Sequence, residues 1–172
     1  LITAGCSFTQ YPNADITWAF HLQNYLNCKT LYLGQGAAGN GIISKHVLYN
    51  TLEALKKYKA EEILVGIMWT ESSRYDFFST SNTLPHTSIL NGVENYRNPV
   101  KIVNSYNHFI VNPNFEDNTS KTYYKYFYDQ YGNYLRSIDI ILKTQWFLEK
   151  HGIKYFMCTY MNHVLPATLK CL

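Results

Sequence analysis

Residues 63–69 read Ile-Leu-Val-Gly-Ile-Met-Trp, without one charged or strongly polar side chain. A run with no polar face suits a strand covered on both sides. Such strands belong to parallel sheets flanked by helices. The preceding segments agree. Leu1–Gly5 and Thr30–Leu33 are short apolar runs, ending in a turn and in Gly34. Between them Ile16, Ala19, Phe20, Leu22 and Leu26 form a helical stripe behind Asp15, which can cap a helix running to about Asn27. A second helix is predicted from about Ile42 to Tyr58, with Ile43, Val47, Leu48, Leu52 and Leu55 on one face. A third runs from about Asn133 to Lys150, ended near Gly152, and Ile153–Tyr160 is a fourth strand. This β-α-β-α-β order predicts an α/β fold: a three-layer α/β/α sandwich with a central parallel sheet.

The 172 residues suit a single domain spanning 1–172. Residues 70–132 break the rhythm with Ser, Asn, Thr, aromatics, Pro85, Pro99 and Pro113, and are expected to form an insertion of loops and short helices. Both ends read as cut, so a truncated C-terminus is expected. The net charge of +3 is small. Its densest cluster, Lys56-Lys57-Tyr58-Lys59, suits a helix C-terminus better than a nucleic-acid surface. No apolar run is long enough for a membrane span, and no leader segment is visible. The four cysteines form no C-x-x-C pair, so no metal site is expected, and a reduced, cytoplasmic setting is preferred. Sixteen tyrosines are present, among them Tyr123, Tyr124, Tyr126, Tyr128, Tyr131 and Tyr134. They suit a half-exposed surface, a contact between two copies in a homo-oligomer, or a stacking platform for a sugar.

Ligands of open parallel sheets bind at the carboxyl ends of the strands. Three such ends carry Gly5-Cys6-Ser7-Phe8-Thr9, then Gly34 to Gly41, then Trp69-Thr70-Glu71 leading to Arg74. Ser7 is either a plain Ser/Thr turn or a nucleophile, which needs a base and donors for the oxyanion. Arg74 can hold a carboxylate or phosphate on a substrate, or pair with Glu71 or Asp76. Gly34-Gln35-Gly36-Ala37-Ala38-Gly39 matches G-x-G-x-x-G between a strand and a helix, which keeps a nucleotide-binding reading open. Glu71, however, lies 32 positions past Gly39, beyond the roughly 20 expected for a ribose-binding acid.

The ordered set resembles the SGNH/GDSL hydrolase superfamily. Ile2-Thr3-Ala4-Gly5-Cys6-Ser7-Phe8-Thr9 is similar to its first block in a G-C-S-F-T variant, with Thr17-Trp18 opening the next helix. Ala37-Ala38-Gly39-Asn40-Gly41 resembles the second block, and Ile63–Thr70 the strand into the third. The likeness covers residues 1–75, and the remainder by architecture only. It implies a flavodoxin-like fold with Ser7 as nucleophile and Gly39 N–H in the oxyanion hole, with no cofactor. It also implies a small-molecule or carbohydrate O-acyl ester as substrate. The third-block asparagine is replaced by Thr70, and Asn40 is a substitute donor. No Asp-x-x-His occurs, so His163, the one histidine after a strand end, is the remaining candidate base. His21, His46 and His151 read as helix residues, while His86 and His108 lie in the insertion. A catalytically inactive binding module on the same fold is the alternative.

Overall fold

The structure, a computed structural model, describes residues 1–10, 17–79, 87–89, 92–94, 98–100 and 107–159. Its centre is four parallel strands: β1 (Ile2–Gly5), β2 (Leu31–Gly34), β3 (Leu64–Trp69) and β9 (Lys154–Thr159). They lie in the order β2-β1-β3-β9, with Ala4 beside both Leu33 and Ile67, and Ile67 beside Met157. The connections are α1 (Trp18–Leu26), α2 (Asn40–Leu55) with a short 3-10 turn at Ala60–Glu62, and, before β9, α4 (Gln130–Lys150).

Alternation along the strands sorts the two faces. Ile2, Ala4, Leu33, Val65, Ile67 and Trp69 share the buried core with Ile42, Ile43 and Val47 of α2 and Ile141 and Leu148 of α4. On α4 the four-residue steps Asn133, Ser137, Ile141 and the pair Thr144, Leu148 make the buried stripe expected of a helix. Small residues let α2 and α4 approach: the Ser44 and Thr144 hydroxyls bond at 2.7 Å. The opposite face belongs to α1. Trp18 meets Phe156 edge-on at 5.7 Å, and the Tyr32 hydroxyl donates to Gln23. Gly66 lies beneath that aromatic pair; a Cβ there would stand 2.5 Å from Phe156 and 3.0 Å from Trp18. Helices on both faces of a parallel sheet make this an α/β protein of three layers.

The cap of α1 is Thr17, whose hydroxyl accepts from Phe20 N–H, and Asn27 ends the helix at φ 46°. Asp15 lies outside the described residues. The inserted segment differs from expectation. It contributes strands as well as a helix: β4 (Tyr75–Ser79), β5 (Thr87–Ile89), β6 (Gly92–Glu94), β7 (Asn98–Val100), β8 (Asn107–Val111) and α3 (Asn118–Tyr126). β6 and β7 extend the main sheet antiparallel beyond β2, while β4, β8 and β5 form a small antiparallel sheet. Strands of three to five residues are too short to show a clear period of two in a sequence rich in Asn, Ser and Thr. Among the described residues no helix is long and apolar enough to cross a membrane.

Candidate functional site

The chain leaves β1 toward β2 on one side and returns from β2 to β3 on the other. The carboxyl ends of β1 and β3 therefore flank the point where the connections part, the usual crevice of such sheets. Cys6-Ser7-Phe8-Thr9 turns there. Thr9 N–H donates to Cys6 O at 2.9 Å and Gln10 N–H to Ser7 O at 3.2 Å. Cys6 is buried and Ser7 exposed, and no described residue bonds the Ser7 hydroxyl. Thr9 folds back across both strand ends. A Cβ at Gly5 would collide with its hydroxyl, and one at Gly34 with its backbone, so neither position has room for a side chain. Trp18 Nε1 then donates to Thr9 Oγ1 at 3.0 Å. The first motif and the start of α1 are thus locked together.

The loop from β2 to α2 begins beside this turn. Gln35 N–H donates to Gly5 O at 3.0 Å, and Ala37 takes a left-handed φ of 60°. Its far end is fixed by Asn40, 2% exposed. The Asn40 amide donates to Thr70 O (3.1 Å) and to Ser137 Oγ (3.2 Å), and its oxygen accepts from Thr70 N–H (2.9 Å). Since β1 lies between β2 and β3, residues 35–39 must pass the carboxyl end of β1, where Ser7 emerges. Both N–H bonds of the Asn40 amide are engaged, so this side chain works as a clamp between α2 and β3. The Thr70 hydroxyl is fully buried and has no partner among the described residues. Gly39, the N-cap of α2, carries a main-chain N–H that the helix itself cannot satisfy.

One residue at this helix head escaped sequence reasoning except as a partner for Arg74. Asp76, on β4, has a side chain only 3% exposed, and its carboxylate lies against Gly39 and Gly41 at the head of α2, where the Gly41 and Ile42 main-chain N–H groups favour its charged form. Lys45 Nζ stands 3.8 Å away. Burial pushes the Asp76 carboxyl above its ordinary range, while Lys45, the two amides and Arg136 pull it back. Burial likewise lowers Lys45 and Arg136. Arg136 lies over the Tyr75 ring, 3.8 Å from its centre, and donates from Nη2 to Arg74 O at 3.1 Å. The Arg74 guanidinium is 4.0 Å from Glu71, with the side chain 13% exposed. It therefore stands in an ion pair beside the site. Two glycines at the start of a helix were the available signal for Asp76: close approach of another group requires them.

The histidines divide by burial. His46 sits under β2 with Nδ1 3.0 Å from Leu33 O and Nε2 buried without a partner among the described residues. Burial pushes its pKa down to about 4, so it is neutral near pH 7. His21 is exposed on α1, and His151 caps α4 against Phe147. His108 lies in β8; His86 and His163 lie outside the described residues. No cluster of three metal-ligating side chains occurs among the described residues.

Part of the tyrosine-rich stretch clusters in tilted and edge-on ring contacts. Tyr75–Tyr123, Tyr123–Tyr124 and Tyr124–Tyr128 have ring centres 5.1, 5.2 and 5.2 Å apart. An open groove of about 480 Å³ runs past Tyr75, Tyr123, Phe127 and Asp129. A more enclosed cavity of about 210 Å³ lies at the opposite edge of the sheet, near Ile2, Cys28 and Ile63, away from Ser7. Comparison with models of protein families, with curated proteins and with solved structures finds no match.

Proposed function

We propose that this chain is a serine acyl hydrolase of the SGNH/GDSL type, with Ser7 as its nucleophile. The observation that carries the reading is the exposed Ser7 hydroxyl at the carboxyl end of β1, in the crevice where the connections part, with the loop to Gly39 passing beside it. Ser7 Oγ would attack an ester carbonyl and lose its proton to a base. Its own N–H and that of Gly39 would receive the negative oxygen. Collapse expels the alcohol, which takes the proton back, and water then releases the acid from the acyl-serine. His163 is the candidate base; the described histidines sit on α1, within the core, in β8 or at the end of α4. An O-acyl ester, small or on a carbohydrate, is the substrate class. No organic cofactor or metal enters the scheme.

The engaged Asn40 amide and the buried Thr70 hydroxyl favour one second reading, a binding module without catalysis, because neither offers the donor expected from the third block. The nucleotide reading has less support. The space that a pyrophosphate would take at the head of α2 is already filled by the Asp76 carboxylate, which lies against Gly39 and Gly41. A fluorophosphonate probe separates the first two. Labelling of folded protein at Ser7, lost in Ser7→Ala, supports the hydrolase. Folded wild type that stays unlabelled, or Ser7→Ala that still labels, overturns it.

A further inference from the structure

The glycine-rich segment before α2 looks like an anion cradle, and the anion is supplied from within the chain. Two observations meet here. The first is the buried Asp76 carboxylate at the head of α2, with Lys45 Nζ 3.8 Å away. The second is the space around it: a Cβ on Gly41 would stand 2.5 Å from Asp76 Oδ2, and one on Gly39 would collide with Oδ1. Both glycines are therefore shaped around this one carboxylate. A helix N-terminus binds negative charge through its free N–H groups and its dipole.

We infer that Asp76 is a positioning residue: from the first strand of the inserted segment it fixes the head of α2, and with it the Gly39 amide, by standing where a bound anion would stand. Asn40 holds the same helix turn to the end of β3, so Asp76 supplies the second of two fixed points. With both in place Gly39 N–H has one direction. The segment after β3 then serves the site without entering it. The consequence for Ser7 chemistry rests on the acyl-hydrolase reading; the anchoring of α2 does not.

The test compares wild type, Asp76→Ala and Asp76→Asn by amide hydrogen exchange at residues 39–43 and by the rate of fluorophosphonate labelling at Ser7. Each is measured in sodium formate and in sodium chloride of equal ionic strength. In Asp76→Ala the amides of residues 39–43 exchange at least about tenfold faster, and labelling slows by about ten- to a hundredfold, as expected for a displaced oxyanion donor. Formate, a free carboxylate small enough for the vacated space, restores both; chloride does not. Asp76→Asn keeps one acceptor and lies between, which also covers the case where the alanine variant fails to fold. Exchange and labelling within twofold of wild type in the variants, or formate acting no better than chloride, overturns the inference. Wild type that never labels removes the hydrolase reading alone, and the exchange arm still decides the role of Asp76.

Discussion

The first seventy residues and the segment after them are held by different mixtures of forces. In the first, β1, β2, β3 and α2 meet through Ala4, Leu33, Ile43, Val47, Ile67 and Trp69, all buried and apolar. In the second, one strand residue, Ile110, joins that core with Phe115 packed against it, and polar and aromatic contacts are added: Asp76 at the head of α2, and Arg136 of α4 on Tyr75 and on Arg74 O, with the Tyr124 hydroxyl on Ser73 O bracing the segment internally. Apolar burial is additive and undirected. The polar contacts are few and directional. The lesson is that apolar burial, most of it on the parallel sheet, supplies stability, while the polar contacts of the inserted segment supply orientation at one sheet edge.

That contrast can be broken most strongly at Trp69, fully buried at the end of β3. Trp69→Ala should cost about 3–5 kcal/mol in denaturant unfolding. No single truncation among the polar contacts of the inserted segment should match it; an equal loss from one of them would erase the distinction.

His46 gives the next effect. In the unfolded chain it takes a proton near pH 6.5, and in the folded chain only near 4. Between those values unfolding takes up a proton. Stability is therefore full above about pH 6.5 and falls as pH drops toward 4, by about 3 kcal/mol from this group. Asp76 has the opposite sign. Its folded pKa is raised, so within its own window the folded state holds the proton, and that group gains stability as pH falls. Unfolding followed from pH 7 to pH 4 should show the His46 limb, and His46→Asn should flatten it. A limb unchanged in that variant would assign the acid sensitivity elsewhere.

Asn40→Ala should follow, at about 2–3 kcal/mol, because the Thr70 N–H and C=O both lose their buried partner. This variant sits on the boundary between the regions, and its loss should be non-additive with that of Ser137→Ala, which shares the amide. Tyr124→Phe is expected to be mildest, about 1 kcal/mol, since it removes one hydroxyl bonded 2.6 Å from Ser73 O and keeps the ring. Thermal unfolding of the paired variants reads both.

The same contrast explains what the sequence discloses. The all-apolar run at 63–69 and the long helices α2 and α4 appear close to where the sequence places them, but the stripe expected on α2 holds only in part: Ile43 and Val47 are buried, Leu52 is exposed, and His46, Asn50 and Thr51 are buried instead. In the segment after Trp69 the strands are three to five residues long and their pairing is set by distant partners, so no local pattern announces them. At the candidate site, Ser7 and Gly39 were legible from position after a strand and at a helix head. Asp76 and Arg136 were not, because their roles depend on contacts with α2 and β4 that only the tertiary arrangement creates. Asn40 reads in the sequence as a substitute oxyanion donor, whereas both of its N–H bonds go to Thr70 O and Ser137 Oγ, partners that thirty and ninety-seven positions of chain conceal.

Gly66 has a mechanical consequence. With no side chain there, the Trp18–Phe156 pair lies low on the sheet, and the spacing between sheet and α1 is set by the thickness of those rings. Trp18 also donates to Thr9, in the turn that carries Ser7. An added methyl at the middle of β3 would raise the whole outer layer like a shim, and the serine at its far end would register the change without being touched.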